Sequence, residues 1–496
     1  MRFEKALCSG VFGAINKVIT IGAVAAVILG VVAVAEAAPA VIPTPPIFQN
    51  PFMGPNNFSE IHFNSFQTDT TSVSGPASSG SQTVQQRLLR PIAAIAGTIA
   101  FNSSGQILTI RIGRSLTNPG FGGQTLLLIN PATLQVLAET DLPPRPSSNG
   151  TVSFSGGGYF YVDNLDRVVC VTANQQIRIY AVKNNQFELV QTYDLSAKIN
   201  NSSDIPNSVL PDSAGNLWFI TAQGKVGYIS NSNNNSGTIY ITDLNETISK
   251  SFATDEDGGV YVVTDYALYR FEVGPDGMPL NTWRTMYNRG TREKPGQNQQ
   301  GSGTTPTLFN DFAGNQFVTI ADNADPYMDV NVYNRQTGAL VAQQQVFKGF
   351  YRLNSCENSL IAVNHSIIIE NNYGNRTVLS TLGPLTTVPG VDRVDFDPTT
   401  GQSQVVWQNA HVAIPSVVSQ LSTGDGLLYT YAKDSQGWYY AALDFQDGSL
   451  VDQARIPLSN QLGGILANNF YSGIGIGPDG SAYVGVFGGI LAWRPE

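Results

Sequence analysis

The side chains best equipped for chemistry in this sequence are carboxylates and amides that recur in short runs. One stretch carries Glu357 and Asn358 and, after an apolar run, Glu370, Asn371 and Asn372. Others carry Asp163, Asn164 and Asp166, then Asp322, Asn323 and Asp325, with Thr221, Asp265 and Asp434 at comparable places. Oxygen-rich sets of this kind suit a hard cation such as Ca2+, which takes about 6–8 oxygen ligands. They suit a polar substrate equally well. Glu357, Asn358, Glu370, Asn371 and Asn372 are therefore candidate metal ligands. Asp163, Asn164, Asp166, Asp322, Asn323 and Asp325 are candidate ligand-binding residues, with Tyr373 beside Trp438, Tyr439 and Tyr440 as stacking surfaces for a carbohydrate or other ligand. Two plainer readings compete: Asn and Asp fill turns in any loop-rich β protein, and aromatic residues in strands usually belong to the core.

Other chemistries lack their marks. The sequence has no Gly-x-Ser-x-Gly elbow, phosphate loop, Cys-x-x-Cys or His-Glu-x-x-His. Gly475-Ile-Gly-Pro-Asp-Gly480 matches the letters of a dinucleotide fingerprint, but that motif must open a helix, and a strand-like run from Ser481 to Val486 follows it. Asp255-Glu-Asp-Gly-Gly259 lacks the later acids of a calcium loop and reads as an acidic turn. His62, His365 and His411 stand apart, without evident partners, and are expected to be structural or surface residues.

Gathering such residues needs a fold that brings strand ends together, and the chain repeats in a way that provides one. Glycine, two residues, an aromatic and then a β-branched or small strand recur at Gly158 with Tyr161, Gly215 with Trp218, Gly258 with Tyr261, Gly314 with Phe317, Gly426 with Tyr429 and Gly480 with Tyr483. Gly105 with Leu108 and His365 with Ile368 are weaker copies at the spacing the others demand. The period is about fifty residues, which suits a four-stranded antiparallel blade. The fold expected is all-β, a β-propeller of eight four-stranded blades, with seven as the alternative count. In such a ring the innermost strand starts and the second strand ends on one face, so polar residues there converge on the axis. The last copy leaves too little chain for a full blade, so an N-terminal strand must close the ring. Glu60–Gln67 and Pro91–Phe101 are the candidate closers.

Composition agrees. Charged residues are 13% and apolar residues 42%, and long runs of helical periodicity are absent. The net charge of −10 opposes a broad grip on nucleic acid or anionic lipid. Arg2, Lys5 and Lys17 precede an apolar run from Val18 to Val34 and small residues at Ala35 and Ala37. Residues 1–37 therefore read as a signal peptide, with an uncleaved membrane anchor as the alternative, and the protein is expected to be secreted or periplasmic. Residues 38–90 read as a Pro/Ser/Gly-rich extension that wraps the ring, and residues 91–496 as the propeller. Cys170 and Cys356 remain after export, either paired or as buried thiols.

The outer turns Asn334-Arg-Gln-Thr-Gly338 and Asp444-Phe-Gln-Asp-Gly448 resemble the Asp-x-x-Thr-Gly turn of quinoprotein-alcohol-dehydrogenase-like (PQQ-like) repeats. Together with the repeat period, the resemblance covers residues 91–496 and implies the eight-bladed propeller of that superfamily. Gly301–Thr307, Asp322–Pro326 and Glu370–Gly374 are also similar to segments of uncharacterised secreted propeller proteins. The adjacent cysteine pair that stacks on the quinone in that superfamily has no counterpart here, which counts against quinone-dependent oxidation. The function expected is a binding or scaffold protein with a polar axial site, engaging a protein, a polar small molecule or a carbohydrate. A calcium-dependent hydrolase or lactonase and a quinone-dependent dehydrogenase are the enzymatic alternatives.

Overall fold

The computed structural model describes residues 40–79, 82–89, 94–113, 123–145, 154–231, 237–457, 459–460 and 462–495; the expected leader, residues 1–37, lies outside them. Among the described residues no helix is long and apolar enough to cross a membrane.

Strands build eight sheets, each one blade of a ring, antiparallel except that Thr70–Thr71 of the N-terminal segment pairs parallel with Gln420–Ser422 of blade seven. Their innermost strands are Ala94–Phe101, Phe160–Val162, Pro206–Pro211, Ala253–Thr254, Thr307–Asn310, Ile361–Val363, Gln420–Ser422 and Ile474–Ile476, for blades one to eight. Second strands such as Val260–Val263 are buried on both faces and read as unbroken apolar runs, because blades pack face to face. Outer strands such as Gln186–Asp194 are mostly exposed and polar.

The repeat is explained by a hydrogen-bonded turn between the first two strands of a blade. In blade three, Asp212 Oδ1 accepts from the backbone N–H groups of Ala214 and Asn216, each at 2.9 Å, while its Oδ2 accepts from Trp218 Nε1–H at 2.9 Å. Gly215 takes the left-handed position of the turn, at φ 85°. Blade four repeats the scheme with Asp255, Gly258 and Tyr261. Blade two corrects the expectation. Its turn is Asp163–Asp166, with Asp166 at φ 62° in the glycine's place, so Gly158 and Tyr161 lie before and within the inner strand. Aspartate tolerates the left-handed region, which hid this turn from a search for glycine.

An N-terminal strand closes the ring, but it is neither candidate. Gln82–Leu88 pairs antiparallel with Gly489–Pro495 and becomes the outermost strand of blade eight. An outermost strand is half solvated, so the polar Gln82–Leu88 serves there. Ala94–Phe101 is instead the inner strand of blade one. Glu60–Gln67 lies in the bore, where every residue from Ser59 to Thr71 is buried. This bore segment circles the axis, its carbonyls accepting from inner-strand N–H groups of successive blades: Phe58 from Phe101, Ser59 from Val162, Ser65 from Thr254, Phe66 from Leu308, Thr68 from Ala362 and Asp69 from Leu421. The exposed inner edges of a propeller's sheets are thereby satisfied by the chain's own N-terminal segment.

Candidate functional site

The bore segment plugs the channel towards the face of the Asp turns and leaves a cavity of about 410 Å³ behind it. Ile61 and His62 form its floor. Its walls are the entries to the inner strands: Tyr159 for blade two, Asn207 for three, Lys250 for four, Thr305 for five, Glu357, Asn358 and Ser359 for six, Val418 for seven and Tyr471 for eight. Asn298 and Gln299, from the connection between blades four and five, and Phe154, Ser249 and Phe470 also line it. The volume lies in the range of small-molecule pockets, about 300–1,000 Å³.

Glu357 and Asn358 are therefore where the axial geometry required them. Glu357 is buried and ion-paired with Lys250. Burial pushes its carboxyl upward, and the Lys250 ammonium and the Asn298 N–H at 3.1 Å only partly offset that. Its Oε2 has no partner. Asn358 Nδ2 donates to Glu370 Oε2 at 2.9 Å and to the Val417 carbonyl at 2.6 Å, and its Oδ1 is also unpartnered. Glu370 thus sits behind the wall, with its pKa pushed up to about 7 by burial against the opposing hydrogen bonds of Ser419 and Asn358.

The rest of the expected metal set serves the backbone. Asn371 Oδ1 accepts from the Ser355 and Tyr373 N–H groups, and Asn372 Oδ1 accepts from the Glu357 N–H at 2.8 Å. Among the described residues, no three His, Cys, Asp or Glu side chains stand together as a metal site. Of the five expected calcium ligands, Glu357 and Asn358 line the cavity, Glu370 bonds Asn358 behind them, and the Asn371 and Asn372 Oδ1 atoms accept from the backbone.

The remaining candidates are also dispersed. Asp322, Asn323 and Asp325 anchor the connection between blades four and five. Asn323 Nδ2 donates to the carbonyls of Arg289 and Arg292, and buried Lys294 donates to the Ala324 carbonyl at 2.6 Å beside Asp325. Burial, reinforced by the charge of Asp329, pushes the Asp322 pKa up to about 7. Tyr373 is half-buried and outside the cavity lining. Asp163, Asn164 and Asp166 are at the opposite end of their blade, since their turn follows the inner strand instead of ending the second. There Asp166 accepts from the N–H and hydroxyl of Ser103 in blade one, stapling two blades together. Trp438, Tyr439 and Tyr440 are buried in the core of blade seven. Cys170 and Cys356 are both buried free thiols.

His62 is the residue the sequence reading missed. His411 is exposed and His365 contacts Asp311 on the turn face, as structural residues would. His62 is buried at the cavity floor, with Nδ1 2.9 Å from Asp69 Oδ1 and Nε2 3.3 Å from Ser359 Oγ. Burial alone would lower its pKa, but the charge and hydrogen bond of Asp69, helped by Glu60, leave it raised. Burial in turn pushes Glu60 up to about 8, against the lowering influence of His62. The available signal was a polar residue at every second position of Ile61-His62-Phe63-Asn64, but its partners were fixed only by the path of the bore segment.

No known family model matches the sequence. An uncharacterised protein of Archaeoglobus fulgidus is 29% identical over 380 residues, spanning 70% of each chain. Among solved structures, the quinohemoprotein alcohol dehydrogenase of Comamonas testosteroni aligns with 90% of this chain and 82% of its own, at TM-score 0.57 and 10% identity. A second such enzyme, from Pseudomonas putida, aligns over 89% and 80% at TM-score 0.54 and 9% identity. A europium-containing methanol dehydrogenase aligns over 87% and 89% at TM-score 0.53 and 11% identity. Such identities show a likeness of fold alone, and the fold expected from the sequence holds: this chain is an eight-bladed β-propeller.

Proposed function

We propose that this protein is an exported binding module that holds a polar small molecule, of sugar or polyol type, in the axial cavity. One observation carries the reading: Glu357 Oε2, Asn358 Oδ1, Ser249 Oγ and Gln299 Nε2 are buried atoms without hydrogen-bond partners, and all four residues line the cavity. An unmet buried polar group costs about 1–3 kcal/mol, and four on the residues of one lining are groups that an occupant meets once their side chains turn inward. Two acceptors, a hydroxyl and an amide donor match a molecule rich in hydroxyl groups. Phe154, Tyr159, Phe470 and Tyr471 on the same lining offer apolar and aromatic surface to its carbon face. Export rests on the composition of residues 1–37, and N-terminal sequencing of the protein from its native source checks it.

Calorimetric titration with a panel of neutral sugars and polyols tests the binding reading. Saturable binding that Gln299→Ala weakens without lowering the melting midpoint is the result expected. No saturable heat from any member of the panel would overturn it. A quinone-dependent dehydrogenase is not favoured, because Cys170 and Cys356 are separate buried thiols rather than an adjacent pair.

A further inference from the structure

We infer that Ser359, His62 and Asp69 form an acyl-transfer relay at the floor of the axial cavity, directed at small carboxylic esters. The inference rests on the cavity being a ligand site but not on which ligand it prefers.

The geometry is that of an activated nucleophile. Asp69 Oδ1 stands 2.9 Å from His62 Nδ1, and in the neutral tautomer that keeps its proton at Nδ1 the ring presents Nε2 as the acceptor. Ser359 Oγ stands 3.3 Å from that Nε2, within the looser range such pairs show before substrate tightens them. Ser359 and His62 both line the cavity, whereas Asp69 is fully buried behind them. Asp69 is a positioning residue, then, and Ser359 and His62 are the groups a substrate would touch. The arrangement crosses the chain: Ser359 enters the inner strand of blade six, and its two partners lie on the bore segment, 297 residues away for His62. Lys250 lines the same cavity, ion-paired with Glu357.

The step balances without any further reagent than water. Ser359 Oγ attacks the ester carbonyl carbon while its proton passes to His62 Nε2. The bond from that carbon to the alkoxy oxygen breaks, and the alcohol leaves with the proton from His62. A water molecule, deprotonated by the same nitrogen, then releases the acid and restores Ser359. The cavity's mixture of aromatic and polar walls limits the substrate to esters small enough for about 410 Å³.

The test uses the full chain and an alkyl fluorophosphonate, whose phosphorus accepts attack from an activated serine. Intact-mass and peptide analysis should show one adduct, on Ser359. Ser359→Ala should abolish it, and His62→Gln should slow labelling by roughly a hundredfold or more, both with unchanged circular dichroism. Asp69→Asn should lower the maximal labelling rate without altering the probe concentration for half-saturation, which separates positioning from a loss of fold. Labelling that is absent, or on another residue, or indifferent to His62→Gln, would overturn the relay. Sugar binding by Ser359→Ala is measured in parallel, so the relay can fail while the binding reading stands, and the reverse.

Discussion

Lys250 and Glu357 form a buried ion pair that ties the entry of blade four to that of blade six across the axial cavity, 107 residues apart in sequence. The pair gives the wall a fixed cation and a fixed carboxylate, and Glu357 Oε2 stays buried without a hydrogen-bond partner. It also explains why Glu357, an obvious calcium ligand in the sequence, stands next to a positive charge of the protein's own.

Removing one partner should cost far more than removing both. Lys250→Met leaves Glu357 buried and unpaired and should destabilise the protein by about 3–5 kcal/mol near neutral pH. The double variant Lys250→Met/Glu357→Leu should recover much of that loss. Urea unfolding at pH 5 and pH 8 checks both, and the single variant should suffer less at pH 5, where Glu357 can take a proton instead.

The buried carboxyls set a direction for the dependence of stability on pH. Glu60, pushed up to about 8, and Glu370, pushed up to about 7, hold protons in the folded chain at pH values where the unfolded chain has lost them. The stability they contribute is fully present below the ordinary Glu value of 4.5 and is lost as pH rises through their folded values. The melting midpoint should therefore fall between pH 5 and pH 8. Glu60→Gln keeps an acceptor for the N–H of His62 and for Gln67 and should flatten the decline, as differential scanning calorimetry at the two pH values would show.

Each blade's first turn should behave as a small structural unit. Asp212→Ala orphans two backbone N–H groups and the indole N–H of a fully buried Trp218. A loss of about 2–3 kcal/mol is expected, visible in the unfolding midpoint and in faster amide exchange at Ala214 and Asn216.

Closure by Gln82–Leu88 can be tested by cutting the chain after that strand. With a protease site placed between Leu89 and Ala94 and then cleaved, the N-terminal piece should co-elute with the ring until urea is added. Residues 94–496 alone should lose cooperative melting and self-associate through the open edge of Gly489–Pro495. A fragment that melts like the intact protein would refute the closure.

What the sequence carried was local. A turn is written in a few neighbouring residues, so Gly215 with Trp218, Gly258 with Tyr261 and the outer turns at Asn334 and Asp444 marked their blades correctly. The blade count and the need for an N-terminal closing strand followed from their spacing. Glu357 and Asn358 were legible as axial residues for the same reason, since strand order alone puts blade entries on one face. Blade two slipped because Asp166 does a glycine's work, and the closing strand was misplaced because an outermost strand can afford polar residues.

Tertiary structure decided everything that depends on the path of residues 56–71. No local pattern says that this segment enters the bore, because its hydrogen bonds are made with inner-strand edges drawn from six blades. Only that path brings His62 and Asp69 to Ser359, and only the ring's closure brings Lys250 to Glu357. Short-range preference fixes which residues turn and which extend. Contacts across hundreds of residues arise from burying the blades against one another, and the cavity and its partners exist only once that packing is complete.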